Sequence, residues 1–372
     1  MEPRILSFFK DISKLEWLTK IQKDLKGKAI EDLELEISEY VKISPFLHRE
    51  DVDNTLLFYR KKKNNSWNIT ELLSVSNCEL SNKQALKFLS LGVNALVFSL
   101  TAETSLADIE KLLKDIRLDF ITVHFILHDI DQLSFVNNYI SFLESSQYDL
   151  TTLQGSVRST LFHKEKTYKS IQLLSARLPK NRSLYIKEVN DGALKPDESL
   201  ADVLYTCYKQ LDVLLEIGLS VKEISNQFIF CLEGGLSYFT EIAKIRALRI
   251  LVDLLFSAYS QEVLTSTYIE YRSANYAAHD HPDYNKIQVT TQTMAAIIGG
   301  ANDIYVAGIN FADDAEKLLE DRRIYNNIQH ILQMESYLDR VVDPAAGSYY
   351  IEQLTDKIAA SAWNLFKKKV KA

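Results

Sequence analysis

Two imidazoles and two carboxylates crowd into His279-Asp280-His281-Pro282-Asp283, a run that could ligate a metal and support hydrolytic chemistry. It follows the seventh of eight strand-like segments, where the loops of a barrel carry function. A metal centre needs three or four converging ligands, however, and neighbours in a loop do not converge automatically. A hydrogen-bonded or solvated loop is therefore the preferred reading. His124 and His128, on or after the third strand, could act as general bases. No carboxylate partner stands at a telling spacing, so they are read as packed structural histidines. Glu188, Asp191 and Glu233 lie at or beyond the carboxy ends of the fifth and sixth strands, where a barrel enzyme would place acids or bases. Charged rims also occur without chemistry.

These groups need a scaffold, and a chain of 372 residues, 47% hydrophobic and 25% charged, can bury a full core. From Trp67 onward strand-like and helix-like segments alternate. Strands are expected at residues 67–75, 95–100, 120–127, 150–157, 183–189, 227–232, 266–271 and 303–308, with the fourth the weakest signal. Helical segments fall between them, notably at 199–217, 238–257, 285–298 and 314–337. Eight such units predict an α/β fold, a closed (β/α)8 TIM-type barrel over 66–372. An open doubly wound sheet is the alternative, weakened because no glycine-rich dinucleotide turn follows an early strand. Within 238–257, Tyr238, Ile242, Ile245, Leu248, Val252 and Leu255 form one apolar stripe. Glu241, Lys244 and Arg249 are expected to face other surroundings, in exposed pairs contributing about 0.2–0.5 kcal/mol each.

Residues 1–65 read as an N-terminal helical and extended arm: a helix over 8–27 carrying Leu15, Trp17, Leu18, Ile21 and Leu25, then a wrapping extension with a short apolar segment at 55–59. The net charge of −7 argues against nucleic acid as a partner. The basic runs Arg60-Lys61-Lys62-Lys63 and Lys367-Lys368-Lys369 are short enough to be solvated surface. No apolar run approaches a membrane span, and Cys78, Cys207 and Cys231 form neither a disulfide framework nor a zinc pattern. A cytoplasmic, reducing location is expected.

Four strings carry a specific likeness. Val341-Val342-Asp343-Pro344-Ala345-Ala346-Gly347-Ser348-Tyr349-Tyr350-Ile351-Glu352-Gln353-Leu354-Thr355 resembles a segment near the end of the barrel in methylmalonyl-CoA mutases. Tyr238 to Arg249 looks like the mutase pattern Phe-x-Glu-x-Ala-Lys-x-Arg-Ala-x-Arg. Thr290 to Ala301 resembles the helix and glycine turn before the last strand, and Arg323 to Ser336 the long helix that follows. All four occur in family order, and Ser13 to Lys28 looks like the arm of the small, or beta, subunit.

The resemblance implies a barrel that admits acyl-CoA along its axis, with adenosylcobalamin presented by a further domain. It also implies changes at the positions that do chemistry. The family's substrate-bonding His corresponds to Lys187, the Arg before Thr290 to Val289 with Gln288 beside it, and the Arg of the long helix to Asn326. The catalytic Tyr finds no clear match near 67–77, and the cobalt-ligating Asp-x-His-x-x-Gly string does not occur. The implied role is therefore a non-catalytic small-subunit barrel that stabilises a catalytic large subunit in a heterodimer, or a homodimer when alone. Adenosylcobalamin would act at the level of the complex, with none expected on this chain alone. The alternative is an acyl-CoA-binding catalytic barrel using Lys187, with Glu188, Asp191, Glu233 and Gln288 facing substrate or cofactor.

Overall fold

The computed structural model describes residues 12–51, 64–189, 194–260, 267–273, 282–307 and 315–372. The first helix, α1 (Lys14–Asp24), is shorter than the apolar spacing predicts. Ser13 and Glu16 form a reciprocal capping box that fixes its start, and the chain leaves the helix through positive φ at Lys26 and Gly27. None of its residues is buried. Trp17 stacks on Phe46 with ring centroids 3.6 Å apart, and Lys14 pairs with Asp51. An antiparallel hairpin, β1 (Leu35–Ser38) and β2 (Val41–Ile43), follows. Val41 and Ile43 belong to the main core, and Ser38 donates to the buried Asp197 at 3.0 Å. The apolar segment 55–59 lies outside the described residues.

The barrel then runs β3 (Asn68–Val75), α2 (Cys78–Ser90), β4 (Ala95–Leu100), α3 (Leu106–Leu112), β5 (Thr122–Leu127), α4 (Gln132–Ser145), β6 (Gly155–Ser159), α5 (Lys164–Arg177), β7 (Asn181–Arg182), β8 (Leu184–Lys187), α6 (Pro196–Glu216), α7 (Val221–Ser225), β9 (Phe228–Glu233), α8 (Tyr238–Ser257), β10 (Tyr268–Arg272), α9 (Pro282–Gly299), β11 (Asp303–Tyr305), α10 (Ala315–Met334) and α11 (Tyr349–Lys371). The strands are parallel and ordered β7-β6-β5-β4-β3-β11-β10-β9-β8. Only Ser183 separates β7 from β8, so the two are one fifth strand that changes partner: β7 pairs with β6 and β8 with β9. The eight expected strand positions thus close into the TIM-type barrel that the β-then-α rhythm predicts.

The fourth strand differs from expectation, lying at Gly155–Ser159 instead of 150–157. Asp149 accepts hydrogen bonds from the Thr151 amide at 3.0 Å and hydroxyl at 2.7 Å, and Thr152 N–H returns to its carbonyl. That local turn delays the strand. Gly155 opens it because a Cβ there would sit 1.9 Å from the Val123 carbonyl oxygen, leaving room for glycine alone.

Strand residues alternate between two surroundings. Leu96, Phe98, Val123, Phe125, Phe228 and Phe230 join one apolar core with the helices, while their neighbours face the barrel axis. α11 packs across α6 and α8, covering α8 from outside. Arg246 is buried beneath it, whereas Glu241 and Lys244 are buried on the strand side against Tyr271 and Glu188. Arg249 is half-buried with its guanidinium on the Thr267 and Gly300 carbonyls, so none of the three charged residues read from the stripe sits in an exposed pair. Arg246 pairs with Glu352 at 2.8 Å and Asp343 at 3.2 Å, and the Gly347 amide donates to the same Glu352 carboxylate at 3.0 Å. Asp343 and Gly347 both take positive φ to present these groups. Two of the four likeness-bearing strings are thereby joined through one guanidinium.

Candidate functional site

The inward faces of the strands carry charge. In the layer nearer the strand amino ends, His124 Nε2 meets Asp303 Oδ2 at 3.0 Å, both essentially unexposed. β5 and β11 are separated by β4 and β3, so this contact crosses the lumen. His124 Nδ1 lies 2.8 Å from Ser156 Oγ. The other Asp303 oxygen accepts from the Tyr268 hydroxyl and Asn68 Nδ2, each at 2.8 Å. Burial first, and then Asp303, holds the Tyr268 hydroxyl well above its usual pKa. The carboxylate partner for His124 was invisible in the sequence because it stands on the last strand.

In the next layer Arg158 Nη2 meets Glu270 Oε2 at 2.6 Å, with side chains 0% and 1% exposed. This contact also spans the lumen, between β6 and β10. Arg272 Nε donates to the same carboxylate at 2.6 Å, and the Arg158 guanidinium lies 4.6 Å from the Tyr185 ring centroid. Burial pulls the Glu270 carboxyl up, but Arg158 and Arg272 more than reverse this and leave it well below the usual carboxylate range. A buried imidazole–carboxylate contact and a buried ion pair therefore lie across the axis, one above the other. Outside the sheet, Glu71 is held by Arg322 at 2.8 Å and Asn326 at 2.7 Å. Burial raises its pKa and the guanidinium opposes the rise.

The sequence candidates gather at the strand carboxy ends but divide in role. Lys187 Nζ and Glu233 Oε1 pair at 2.9 Å on the rim, 49% and 23% exposed. Glu188 turns away from them. It accepts from the Glu233 amide at 2.8 Å, from Ser199 and from Lys244 at 3.3 Å. Lys244 also meets Glu241 at 3.3 Å. Burial lowers the pKa of its ammonium, while Glu188 and Glu241 raise it further than burial lowers it. Gln288 is half-buried on α9 beside the fully buried Val289, and Asp191 lies outside the described residues. His128 Nε2 lies 2.9 Å from Ser99 Oγ. His279, Asp280 and His281 are likewise outside the described residues. Asp283 is exposed and pairs with Lys286 at 2.9 Å. Among the described residues no group of three or more metal-capable side chains converges.

Arg158, Glu270 and Asp303 were not among the sequence candidates. The signal for Arg158 and Glu270 was the period of two in Gly-Ser-Val-Arg-Ser and Tyr-Ile-Glu-Tyr-Arg, in which polar residues alternate with apolar ones that face the helices.

Residues 101–372 match the family model described as methylmalonyl-CoA mutase. The chain is 29% identical to the methylmalonyl-CoA mutase small subunit of Porphyromonas gingivalis over 98% of its own length and 63% of that protein. Against the small subunit of Streptomyces virginiae it is 32% identical over 53% of this chain and 32% of the other. Against the 2-hydroxyisobutanoyl-CoA mutase large subunit of Aquincola tertiaricarbonis it is 26% identical over 68% and 48%. The chain spans less than two thirds of the length of these relatives. With a closed parallel barrel, the four strings in order and a family match over most of its length, this chain belongs to the methylmalonyl-CoA mutase family.

Proposed function

We propose that this chain is the barrel of a small, non-catalytic subunit that pairs with a catalytic large subunit in a cytoplasmic methylmalonyl-CoA mutase, which interconverts methylmalonyl-CoA and succinyl-CoA. The observation that carries the reading is the filled lumen. An acyl-CoA lying along the axis would have to displace Arg158 from Glu270 and His124 from Asp303, and either loss leaves a charge buried without its partner. The exposed face of α1, with Leu15 74% exposed, supports an arm completed by a partner. Among the described residues no helix is long and apolar enough to cross a membrane, in keeping with that setting.

Adenosylcobalamin supplies a homolysable cobalt–carbon bond to such a complex. His124 does not fit it, because both of its nitrogens are engaged by Ser156 and Asp303. The cofactor is assigned to the complex, and this barrel contributes no step through it.

Assaying the purified chain with adenosylcobalamin and methylmalonyl-CoA, alone and after mixing with a catalytic subunit, tests the reading. No turnover alone and co-elution with the catalytic subunit are expected. Succinyl-CoA formed by the isolated chain would overturn it. The rim pair of Lys187 and Glu233 is the one arrangement that favours the catalytic alternative. Under that alternative, calorimetry would show tight binding of a CoA thioester that Lys187→Ala abolishes.

A further inference from the structure

We infer that the groove between the amino-terminal hairpin and the end of α11 binds an extended acidic segment of a partner protein. Read along the sequence, Lys367-Lys368-Lys369 is solvated surface, but the fold gives that run a facing wall. β2 packs against α11, and Lys357 Nζ donates to the Lys42 carbonyl at 2.6 Å. Between hairpin and helix lies a groove of about 830 Å3. Lys42, Lys357, Lys367, Lys368 and Lys371 line it, against a single carboxylate, Glu39. Lys42 is paired with Glu36 at 3.2 Å, and the adjacent Lys369 with Asp202 at 2.6 Å. Among the described residues Lys367, Lys368 and Lys371 meet no carboxylate, and Lys368 lies over the Tyr40 ring, 5.4 Å from its centroid. The groove thus gathers positive charge on a chain whose net charge is −7.

Shape selects the ligand. Lys357, Ser361, Asn364, Lys368 and Lys371 recur at alternating steps of four and three residues, so they share one face of α11. From Lys357 to Lys371 that face runs about 21 Å, the reach of an extended chain of about six residues whose alternate side chains point the same way. A lone phosphate or carboxylate would meet one or two ammonium groups and leave the rest. Carboxylates at alternate positions can meet all of them, because lysine carries its charge on a flexible stem. Tyr40, 53% exposed, and Asn364 add a ring at the wall and an amide at the floor against which a peptide can lie. A concave groove does not suit a flat lipid surface. A long nucleic acid would overrun it onto a surface that repels phosphates.

The test titrates the full chain into a fluorescein-labelled octapeptide of alternating Glu and Ala and reads its anisotropy. Saturable binding is expected, weakening about tenfold when Lys367, Lys368 and Lys371 are all changed to Gln and again when salt is raised from about 0.05 to about 0.3 M. Changing Lys83, Lys87 and Lys114 to Gln removes the same charge from the surface around α2 and α3, and should leave the affinity unaltered. Tyr40→Ala keeps every lysine and should weaken binding severalfold. All these side chains are at the surface, so circular dichroism should not change. Absence of saturable binding, equal weakening in the α2 and α3 variant, or tighter binding of oligothymidine or phosphatidylserine vesicles than of the peptide overturns the proposal.

Discussion

At the scale of single residues, the contact between Arg158 and Glu270 has the sharpest consequences. Replacing Glu270 with Gln strands the guanidiniums in the lumen and should cost about 3–5 kcal/mol at neutral pH, measured by urea unfolding. The pH dependence follows from the direction of the shift. The Glu270 carboxyl titrates lower in the folded than in the unfolded chain. Its contribution is therefore present above the unfolded value of about 4.3 and is lost as acid approaches the folded one. The gap between wild type and E270Q should narrow as pH falls below about 4.5. Lys244 works in the opposite sense: its folded pKa is raised, so its contribution is complete below about pH 10.4 and disappears as pH climbs through the folded value. No spacing in the sequence could pair Arg158 with Glu270 or His124 with Asp303, because each partner stands on a strand across the barrel. The rim position of Glu233 was legible because strand ends are readable from where apolar runs stop, whereas Lys187 came from the resemblance.

At the scale of elements, the strands were legible largely through their helix-facing halves, such as Val123, Phe125 and Leu127. Their inward halves were less legible. The run from Phe120 to Leu127 is apolar nearly throughout, and its two polar residues, Thr122 and His124, lie inside the barrel among bonded polar groups. α8 shows the limit of one-helix reasoning. Its stripe is real, but periodicity along α8 cannot reveal that α11 covers the opposite face. That cover depends on Arg246 holding Glu352 and Asp343. Arg246→Met should cost roughly 3 kcal/mol and raise hydrogen exchange in α11 well above that in β3 to β6. Uniform exchange across the chain would argue that α11 is held by its apolar face alone. α1 makes a separate prediction, since among the described residues none of its side chains is buried. Leu15→Asp should leave the melting temperature of the isolated chain unchanged while weakening association with a catalytic subunit about tenfold or more, read by sedimentation.

At the scale of the molecule, the closed sheet has two thin places. One is the interruption at Ser183 between β7 and β8, and the other is the closure of β11 on β3, where only Asp303 with Asn68 and Ile304 with Ile69 are in register. These seams divide the cylinder into two consecutive stretches of chain, 68–182 and 184–305. Arg158, His124 and Glu71 belong to the first, whereas Glu270, Asp303 and Arg322 come from the second or the helix after it. The buried charges thus act as rivets that clamp one half-cylinder to the other where the backbone ladder is weakest. A chain cut after Leu178 and expressed as two pieces should reassemble, and E270Q should prevent the pieces from co-purifying.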